Sequence, residues 1–310
     1  VFDFYTAFFS GSSLVPIKKE LTKNPLELVM LVDKMQCTIW FSVPSFIVYL
    51  QTMKVLTNKT FQSIRIFTFG GEGFPKGELK KLYEMYGEHA KLINVYGPTE
   101  GTCICSSYDI SAKDFEDIYT LASLGSINPN FEYMILDKNM QKVEKGQKGE
   151  LCLGGPNVAL GYYNDKERSS QNFVQNPNIE THKDIIYMTG DIVFEKDNLL
   201  WFAGRIDNQI KHMGYRIELE EIESALNALS YINQSAVIYE RVNSNYGKLL
   251  AFVATKRNVS ESQIKRELMS CLPKYMIPNI IEINNALPSN ANGKIDKAFL
   301  LKKMQNKNPF

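Results

Sequence analysis

Three short apolar runs restrict the first third of the chain more than any other feature. Thr38–Val43, Ile64–Phe69 and Leu92–Tyr96 are rich in β-branched and aromatic residues, and each stops at glycine or proline: Pro44, Gly70-Gly71 and Gly97-Pro98. Such residues suit a pleated, half-buried surface, and the Gly/Pro boundaries end the run. Between the runs the apolar spacing becomes helical. Pro44 opens one helix that continues through Tyr49 and Leu50, and Leu79, Leu82, Tyr83 and Tyr86 mark another. Earlier still, Asn24-Pro25 is a helix start, with asparagine as N-cap and proline at the first helical position, and Leu26, Val29 and Met30 continue on one face. The opening Val1-Phe2-Asp3 reads as strand-like. Strands alternating with helices in this way predict a parallel sheet covered by helices.

The texture then changes. Residues 106–202 hold short strand-like runs at Tyr133–Asp137, Gly149–Leu153, Ile192–Phe194 and Leu199–Phe202, with one short helix starting at Asp165. That predicts a small β-rich subdomain, a distorted barrel. The stretch Gly204–Glu223 reads as a hinge. A polar Gly204-Arg205-Ile206-Asp207-Asn208 is followed by Gly214, set among Ile210, His212, Tyr215 and Ile217, where a hairpin turn needs φ > 0. A helix over 218–229 comes next, with Leu219, Ile222, Leu226 and Leu229 at helical spacing. Strand-like Ser235–Tyr239 and Leu249–Ala254 precede a helix from Ser260, where Gln263 completes a capping box. The expected domains are 1–206, with an α/β part (1–105) and a β-rich part (106–206), and a compact α+β domain over 207–310.

Length and charge narrow the function. The 310 residues fit about two domains. A net charge of +1 lends no support to nucleic-acid binding or a polybasic membrane surface, and no run approaches the roughly 20 apolar residues of a membrane span. The five cysteines are scattered, so Cys103-x-Cys105 reads as buried thiols in a reducing cytoplasm and not as a metal pair. His89, His182 and His212 stand apart and make neither a cluster nor a triad. A cytoplasmic monomer is expected.

Candidate chemistry gathers at strand ends. Asn94-Val95-Tyr96-Gly97-Pro98-Thr99-Glu100 ends a strand in a sharp turn, at the edge where open α/β sheets bind ligands. There Tyr96 can stack on a base, Thr99 can bond a phosphate oxygen, and Glu100 can hold Mg²⁺, a hard cation suited to carboxylate oxygens. Gly70-Gly71-Glu72 closes the preceding strand, and paired glycines allow close backbone approach. Asp191 lies on a glycine turn just before a strand, placed to accept ribose hydroxyls, and Arg205 can meet ribose or phosphate. Lys294 sits on a polar loop, a point charge deliverable to a phosphate. Each residue also has a plain reading, as a turn, a solvated acid or a salt-bridge partner.

Order and spacing go further. Asn94-x-Tyr-Gly-Pro-Thr-Glu, Gly149-Glu-Leu-Cys-Leu-Gly-Gly155 with Gly161-Tyr162-Tyr163, Tyr187-x-Thr-Gly-Asp191, Gly204-Arg-x-Asp-x-Gln-x-Lys211 and Asn292-Gly-Lys-x-Asp296 resemble the ordered motifs of amino-acid adenylation domains. These belong to the adenylate-forming superfamily, with acyl-CoA synthetases and luciferases. Ser42-Val-Pro-Ser-Phe46, Gly214-Tyr-Arg-Ile-Glu-Leu-Glu-Glu-Ile-Glu223 and Lys274-Tyr-Met-Ile-Pro278 look closest to the branch that ligates D-alanine to carrier proteins.

The resemblance implies an α/β multidomain fold of the acetyl-CoA synthetase type, with a mobile C-terminal lid. It implies ATP-dependent activation of an amino acid, with Mg²⁺, and transfer to the phosphopantetheine thiol of a carrier protein acting in trans. By the motif match, Gly71, Glu72, Asn94, Tyr96, Gly97, Thr99, Asp191, Arg205 and Lys294 would meet the nucleotide, Tyr96 stacking on adenine and Asp191 taking the ribose hydroxyls. Glu100 would bind the metal, Lys294, Thr99 and Glu100 would serve catalysis, Asp207 would be the hinge, and Gly214 would line the pantetheine channel. Asp3 would anchor the α-ammonium by a charge-assisted hydrogen bond. Phe4, Ala7, Ser42, Thr68, Gly70, Val95, Cys103 and Ile104 would line the side-chain pocket. That lining is mostly apolar and uncharged, so a small or apolar amino acid such as D-alanine is expected, with room left at Gly70 for something larger.

The sequence departs from the pattern in places. Tyr5 stands where the family often has serine, Leu160 replaces the usual arginine before Gly161-Tyr162, and Met188 replaces a basic residue. The glycine-rich phosphate loop ending in Pro-Lys-Gly does not occur ahead of Asp3, so a fragment lacking its first part and having little activity is expected. Rival readings are an acyl-CoA or aryl-CoA ligase, against which Asp3 speaks because an acid beside a fatty chain is costly, and a non-catalytic binding module.

Overall fold

The computed structural model describes residues 1–206, 209–212, 214–242, 247–289 and 295–307. The chain divides into two compact units, Val1–Asp207 and Asn208–Phe310. The first unit begins with α1 (Phe2–Ser10), α2 (Pro25–Lys34), β1 (Ile39–Ser42), α3 (Pro44–Thr52), β2 (Ile66–Gly70), α4 (Lys76–Tyr86) and β3 (Lys91–Tyr96). It continues with β4 (Ser106–Asp109) and β5 (Ser126–Ile127), which complete a sheet in the order β1-β2-β3-β4-β5. The helix-linked strands β1, β2 and β3 are parallel, as their crossovers require, whereas β4 and β5 add antiparallel. One core, built from Leu28, Val29 and Val32 of α2, Ile47 and Leu50 of α3 and Leu79 and Leu82 of α4, packs on Trp40, Phe67, Phe69 and Leu92.

Two local expectations fail here. The strand-like opening is a helix. Its aromatic residues recur four apart, and the rings of Phe4 and Phe8 (6.2 Å) and of Tyr5 and Phe9 (5.9 Å) stack along it. Aromatic side chains favour strands in composition, but the i, i+4 spacing is helical. The buried face of α2 is Pro25, Leu28, Val29 and Val32, while Leu26 and Met30 are exposed. Both sets have helical spacing, and only the neighbouring strands select between them.

A second, antiparallel sheet follows: β6 (Glu132–Leu136), β7 (Gly149–Gly154), α5 (Lys166–Asn172), β8 (Phe173–Gln175), β9 (Ile185–Lys196) and β10 (Leu199–Arg205). The order is β10-β9-β7-β6, with β8 also paired to β9. Its core of Leu151, Leu153, Val193 and Leu200 includes Tyr96, Cys105 and Leu124 from the first sheet region. The two sheets are thus parts of one packed body.

In the second unit, β11 (Ile210–His212) and β12 (Tyr215–Ile217) form a hairpin, His212 facing Tyr215 across the turn. Gly214 has φ +81°, the left-handed conformation such a turn needs. Then come α6 (Leu219–Asn227), β13 (Gln234–Arg241), β14 (Gly247–Ala254), α7 (Glu261–Leu268), β15 (Ile280–Asn284) and α8 (Lys297–Lys307). The sheet β13-β14-β15 has Ile222, Leu226, Ile264 and Leu268 of α6 and α7 against Val237, Leu249 and Val253 on one face, and Leu300 and Met304 of α8 against Leu250 and Phe252 on the other. The cap of α7 is one-sided: Ser260 accepts from the Gln263 amide, but the Gln263 side chain turns to Glu267 at 3.1 Å instead of back to Ser260. No helix among the described residues is long and apolar enough to cross a membrane.

Candidate active site

The carboxyl ends of β1, β2 and β3 lie side by side, with Ser42 opposite Phe69 and Gly70 opposite Val95. Alternation along a strand divides their side chains between two faces. Phe41, Thr68 and Ile93 form one row, continued by Gly70 and Val95, and the Phe2 ring of α1 packs tilted against Phe41 at 4.6 Å. The helix carrying Asp3, Phe4 and Ala7 therefore lies against the face that presents Thr68, Gly70 and Val95. Asp3 and Phe4 are exposed there.

Ser42 does not join this group. It shares the opposite face with Trp40, whose indole donates to its Oγ at 2.9 Å. The expected room at Gly70 is also filled. A Cβ there would stand 2.5 Å from the Val95 carbonyl oxygen and 2.6 Å from Val95 Cγ2, so this glycine permits close packing of β2 on β3. Glu72 turns to α3, where its Oε2 accepts from the Ser45 amide at 3.1 Å, an acid set at a helix N-terminus, where the dipole favours it.

Past β3 the loop doubles back. Thr102 (φ +54°) and Cys103 (φ +86°) are both left-handed, at roughly 1–2 kcal/mol each for residues bearing a Cβ. The Cys103 carbonyl then lies where a side chain on Gly97 would stand. We expect Gly97→Ala to destabilise the Val1–Asp207 unit by about 1–3 kcal/mol, toward the upper figure because backbone cannot swing aside. Urea unfolding measures this, and an unchanged midpoint would refute the packing argument. Thr99 is exposed on this loop, Cys103 and Ile104 are partly covered, and Cys105 is buried with its thiol on the Tyr96 carbonyl at 3.4 Å.

Glu100 is only 6% exposed. Its Oε1 accepts from the Tyr162 hydroxyl at 2.6 Å, and its carbonyl accepts from the Ala159 amide at 2.8 Å. Mg²⁺ takes one or two carboxylates and completes its shell with water and substrate phosphates. A single carboxylate fits that mode of binding, and among the described residues no three His, Cys, Asp or Glu side chains gather into a metal cage.

A buried polar cluster joins the two sheets. Asp191 accepts from the Tyr96 hydroxyl on Oδ2 and from Arg205 Nη1 on Oδ1, both at 2.6 Å. The Asp191 and Arg205 side chains are 4% and 12% exposed. Burial, followed by the charge of Asp191, pushes the Tyr96 phenol well above its ordinary value, so the phenol remains the donor. Asp191 does not sit on a turn before a strand, as the glycine beside it suggested. The whole of Tyr187–Asp191 lies inside β9, at a register shift between Glu150 and Cys152 of β7, and the β10 register shifts at Phe202/Gly204 just before Arg205 meets Asp191. Bulges of this kind bend a strand and re-aim its side chains. Thr189 and Glu150, motif positions to which the sequence reading gave no role, hold the bulge: Thr189 Oγ1 donates to the Leu151 carbonyl at 2.7 Å, and Glu150 accepts from the Gly190 amide at 2.8 Å.

Asn94, beneath Tyr96, is buried, with its amide nitrogen on the Ser123 carbonyl at 2.7 Å and its Oδ1 without a protein partner. The Tyr96 ring is packed into the core, and its hydroxyl meets Asp191. In the second unit, Tyr215 beside Gly214 stacks on Tyr275 at 3.8 Å. Asp207 and Lys294 lie outside the described residues.

Comparison with known proteins places the chain in a family. The AMP-binding enzyme family matches residues 1–163, and the AMP-binding enzyme C-terminal domain matches residues 221–294. The chain is 32% identical over 307 residues to a D-alanine–D-alanyl carrier protein ligase of Bacillus cytotoxicus, covering 97% of this chain and 60% of the relative. It is 33% identical over 307 residues to the ligase of that name from Listeria monocytogenes, covering 97% and 59%. The chain thus spans about three fifths of the length of these relatives. Among solved structures, holo-PA1221, described as an NRPS protein containing adenylation and PCP domains bound to a vinylsulfonamide inhibitor, superposes with a TM-score of 0.76 at 25% identity, covering 94% of this chain and 48% of that one. With its family match extending over more than half its length, the chain belongs to the AMP-binding enzymes.

Proposed function

We propose that this chain is part of a ligase that activates an amino acid with ATP to an aminoacyl-adenylate. The acyl group then passes to the phosphopantetheine thiol of a carrier protein supplied in trans. The observation that carries the reading is the buried Tyr96–Asp191–Arg205 cluster, which sets a carboxylate and a guanidinium at the end of β3, the strand that leads into Thr99 and Glu100. In this reading Asp191 takes the ribose hydroxyls and Arg205 the ribose or phosphate. Thr99 meets the α-phosphate, and Glu100 holds Mg²⁺ shared with the phosphates, which neutralises charge on the leaving group. Asp207 as pivot, Lys294 as the cation between substrate carboxylate and phosphate, and Gly214 in the pantetheine channel rest on the sequence resemblance alone. The ligase works in the cytoplasm, where ATP is supplied.

The substrate is a small or apolar amino acid, D-alanine first among them. The names of the relatives support this, as does a face of Phe41, Thr68, Ile93 and Val95 that carries no charged side chain. The Val95 packing at Gly70 favours a small side chain over a large one. Amino-acid-dependent exchange of pyrophosphate into ATP by the full-length protein tests the reading. Turnover is expected with D-alanine or another small amino acid, and Asp3→Ala should lower kcat/KM at least tenfold by removing the ammonium anchor. Turnover only with charged amino acids, or full activity in Asp3→Ala, would refute the pocket assignment. Thioester formation from fatty or aryl acids and CoA instead would make the protein an acyl-CoA or aryl-CoA ligase.

A further inference from the structure

We infer that Tyr162 is a positioning residue for the metal-binding carboxylate, holding Glu100 in the one orientation that serves Mg²⁺-nucleotide. The inference rests on the proposed role of Glu100. The loop Ala159–Tyr162 grips Glu100 twice. The Ala159 amide donates to the Glu100 carbonyl at 2.8 Å, and the Tyr162 hydroxyl donates to Glu100 Oε1 at 2.6 Å. A backbone bond alone fixes the peptide. The second bond fixes the side-chain torsions, which decide where the carboxylate oxygens point.

The tyrosine is itself held from several sides. Its amide donates to Ser169 Oγ at 2.8 Å, the Phe173 ring meets it edge-on at 5.5 Å, and the Arg168 guanidinium lies over its face at 4.5 Å. Its neighbours Leu160 and Tyr163 are fully or almost fully exposed. Of the apolar and aromatic side chains on this turn, Tyr162 is the one brought inward. In this bond the hydroxyl is the donor and the Glu100 carboxylate the acceptor, which leaves the other carboxylate oxygen to be set by the same torsions. Hydrogen-bonded partners of metal-ligating carboxylates orient them, and losing one typically weakens metal affinity about 10–100-fold.

The test uses the full-length protein and Mn²⁺ as the probe, its free concentration read by electron paramagnetic resonance in the presence of ATP, alongside the Mg²⁺ dependence of pyrophosphate exchange. Tyr162→Phe should weaken Mn²⁺ affinity about tenfold and raise the Mg²⁺ needed for half-maximal exchange by a similar factor. The rate at saturating Mg²⁺ should stay within about threefold, because the carboxylate is still present. Arg168→Met, which keeps the phenol but removes its stacking cation, should shift the same quantity about two- to fivefold, and it decides the matter if Tyr162→Phe does not fold. Glu100→Gln is the control. If it weakens Mn²⁺ while the Tyr162 and Arg168 variants match wild type, the positioning role is wrong and the role of Glu100 stands. If Glu100→Gln leaves Mn²⁺ affinity unchanged, the metal assignment itself falls. Lower thermal stability in Tyr162→Phe with unchanged metal dependence would make the bond merely structural and overturn the inference.

Discussion

Replacing Arg205 with methionine is expected to lower the stability of the Val1–Asp207 unit by about 3–5 kcal/mol. The Asp191 and Arg205 side chains are 4% and 12% exposed, and they meet at 2.6 Å on paired strands. Taking away the guanidinium leaves a nearly buried carboxylate with the Tyr96 hydroxyl still bonded to it but no cation beside it. Most of the loss is therefore the penalty of stranding Asp191, not the worth of the pair. A double variant, Asp191→Asn with Arg205→Met, should accordingly recover a large part of the loss, since both charges are gone. Urea unfolding followed by tryptophan fluorescence measures the change, because Trp201 lies on the same strand as Arg205. AMP affinity should fall in both variants, whereas stability should fall mainly in the single one. A single variant as stable as wild type would show that the Asp191 charge needs no partner and that the cluster is not a buried anchor.

Phe67→Ala should cost about 3–5 kcal/mol in the same unit. Phe67 lies on β2 between β1 and β3, wholly buried, with the rings of Tyr86 at 5.0 Å and Phe61 at 6.2 Å. Its neighbours come from the sheet, from α4 and from the segment between α3 and β2, and these are tied to one another, so a cavity would collapse only partly. The consequence extends to the site, because β2 ends in Gly70 and leads directly into Gly71 and Glu72, and Glu72 holds the start of α3. Thermal or urea unfolding provides the measurement. A loss under about 1 kcal/mol would mean that the core around Phe67 rearranges freely. The expectation for Gly97→Ala is smaller and has a different cause, overlap with backbone instead of a void.

Much of the architecture is legible without coordinates. The strands ending at Gly70 and Tyr96, the helix beginning at Pro25, the Gly214 hairpin and the short helix capped by Asp165 follow from local pattern, because turn residues and apolar spacing act within a few positions. The motifs around Glu100, Asp191 and Arg205 were equally visible. What they touch was not. Tyr162 is 62 positions from Glu100, and nothing in a Gly-Tyr-Tyr sequence says which tyrosine turns inward. The motif resemblance groups Ser42 with Thr68 and Val95, but the two-residue alternation sends it to the other face. The glycine at 70 reads as empty space in a sequence, whereas in the sheet that space belongs to Val95.

The sequence by itself thus determined which segments become strands and helices over most of the chain, and which family its motifs resemble. These depend on short-range propensities and on the order of residues. Only the tertiary structure decided that α1 is a helix laid on β1, and that bulges in β9 and β10 bring Asp191 and Arg205 together. It also decided that Tyr96 serves Asp191 through its hydroxyl, and that Tyr162 reaches Glu100. The physical reason is the same each time. A buried charge or hydroxyl must find its partner across the fold, and register, bulge and face determine which partner is within 3 Å.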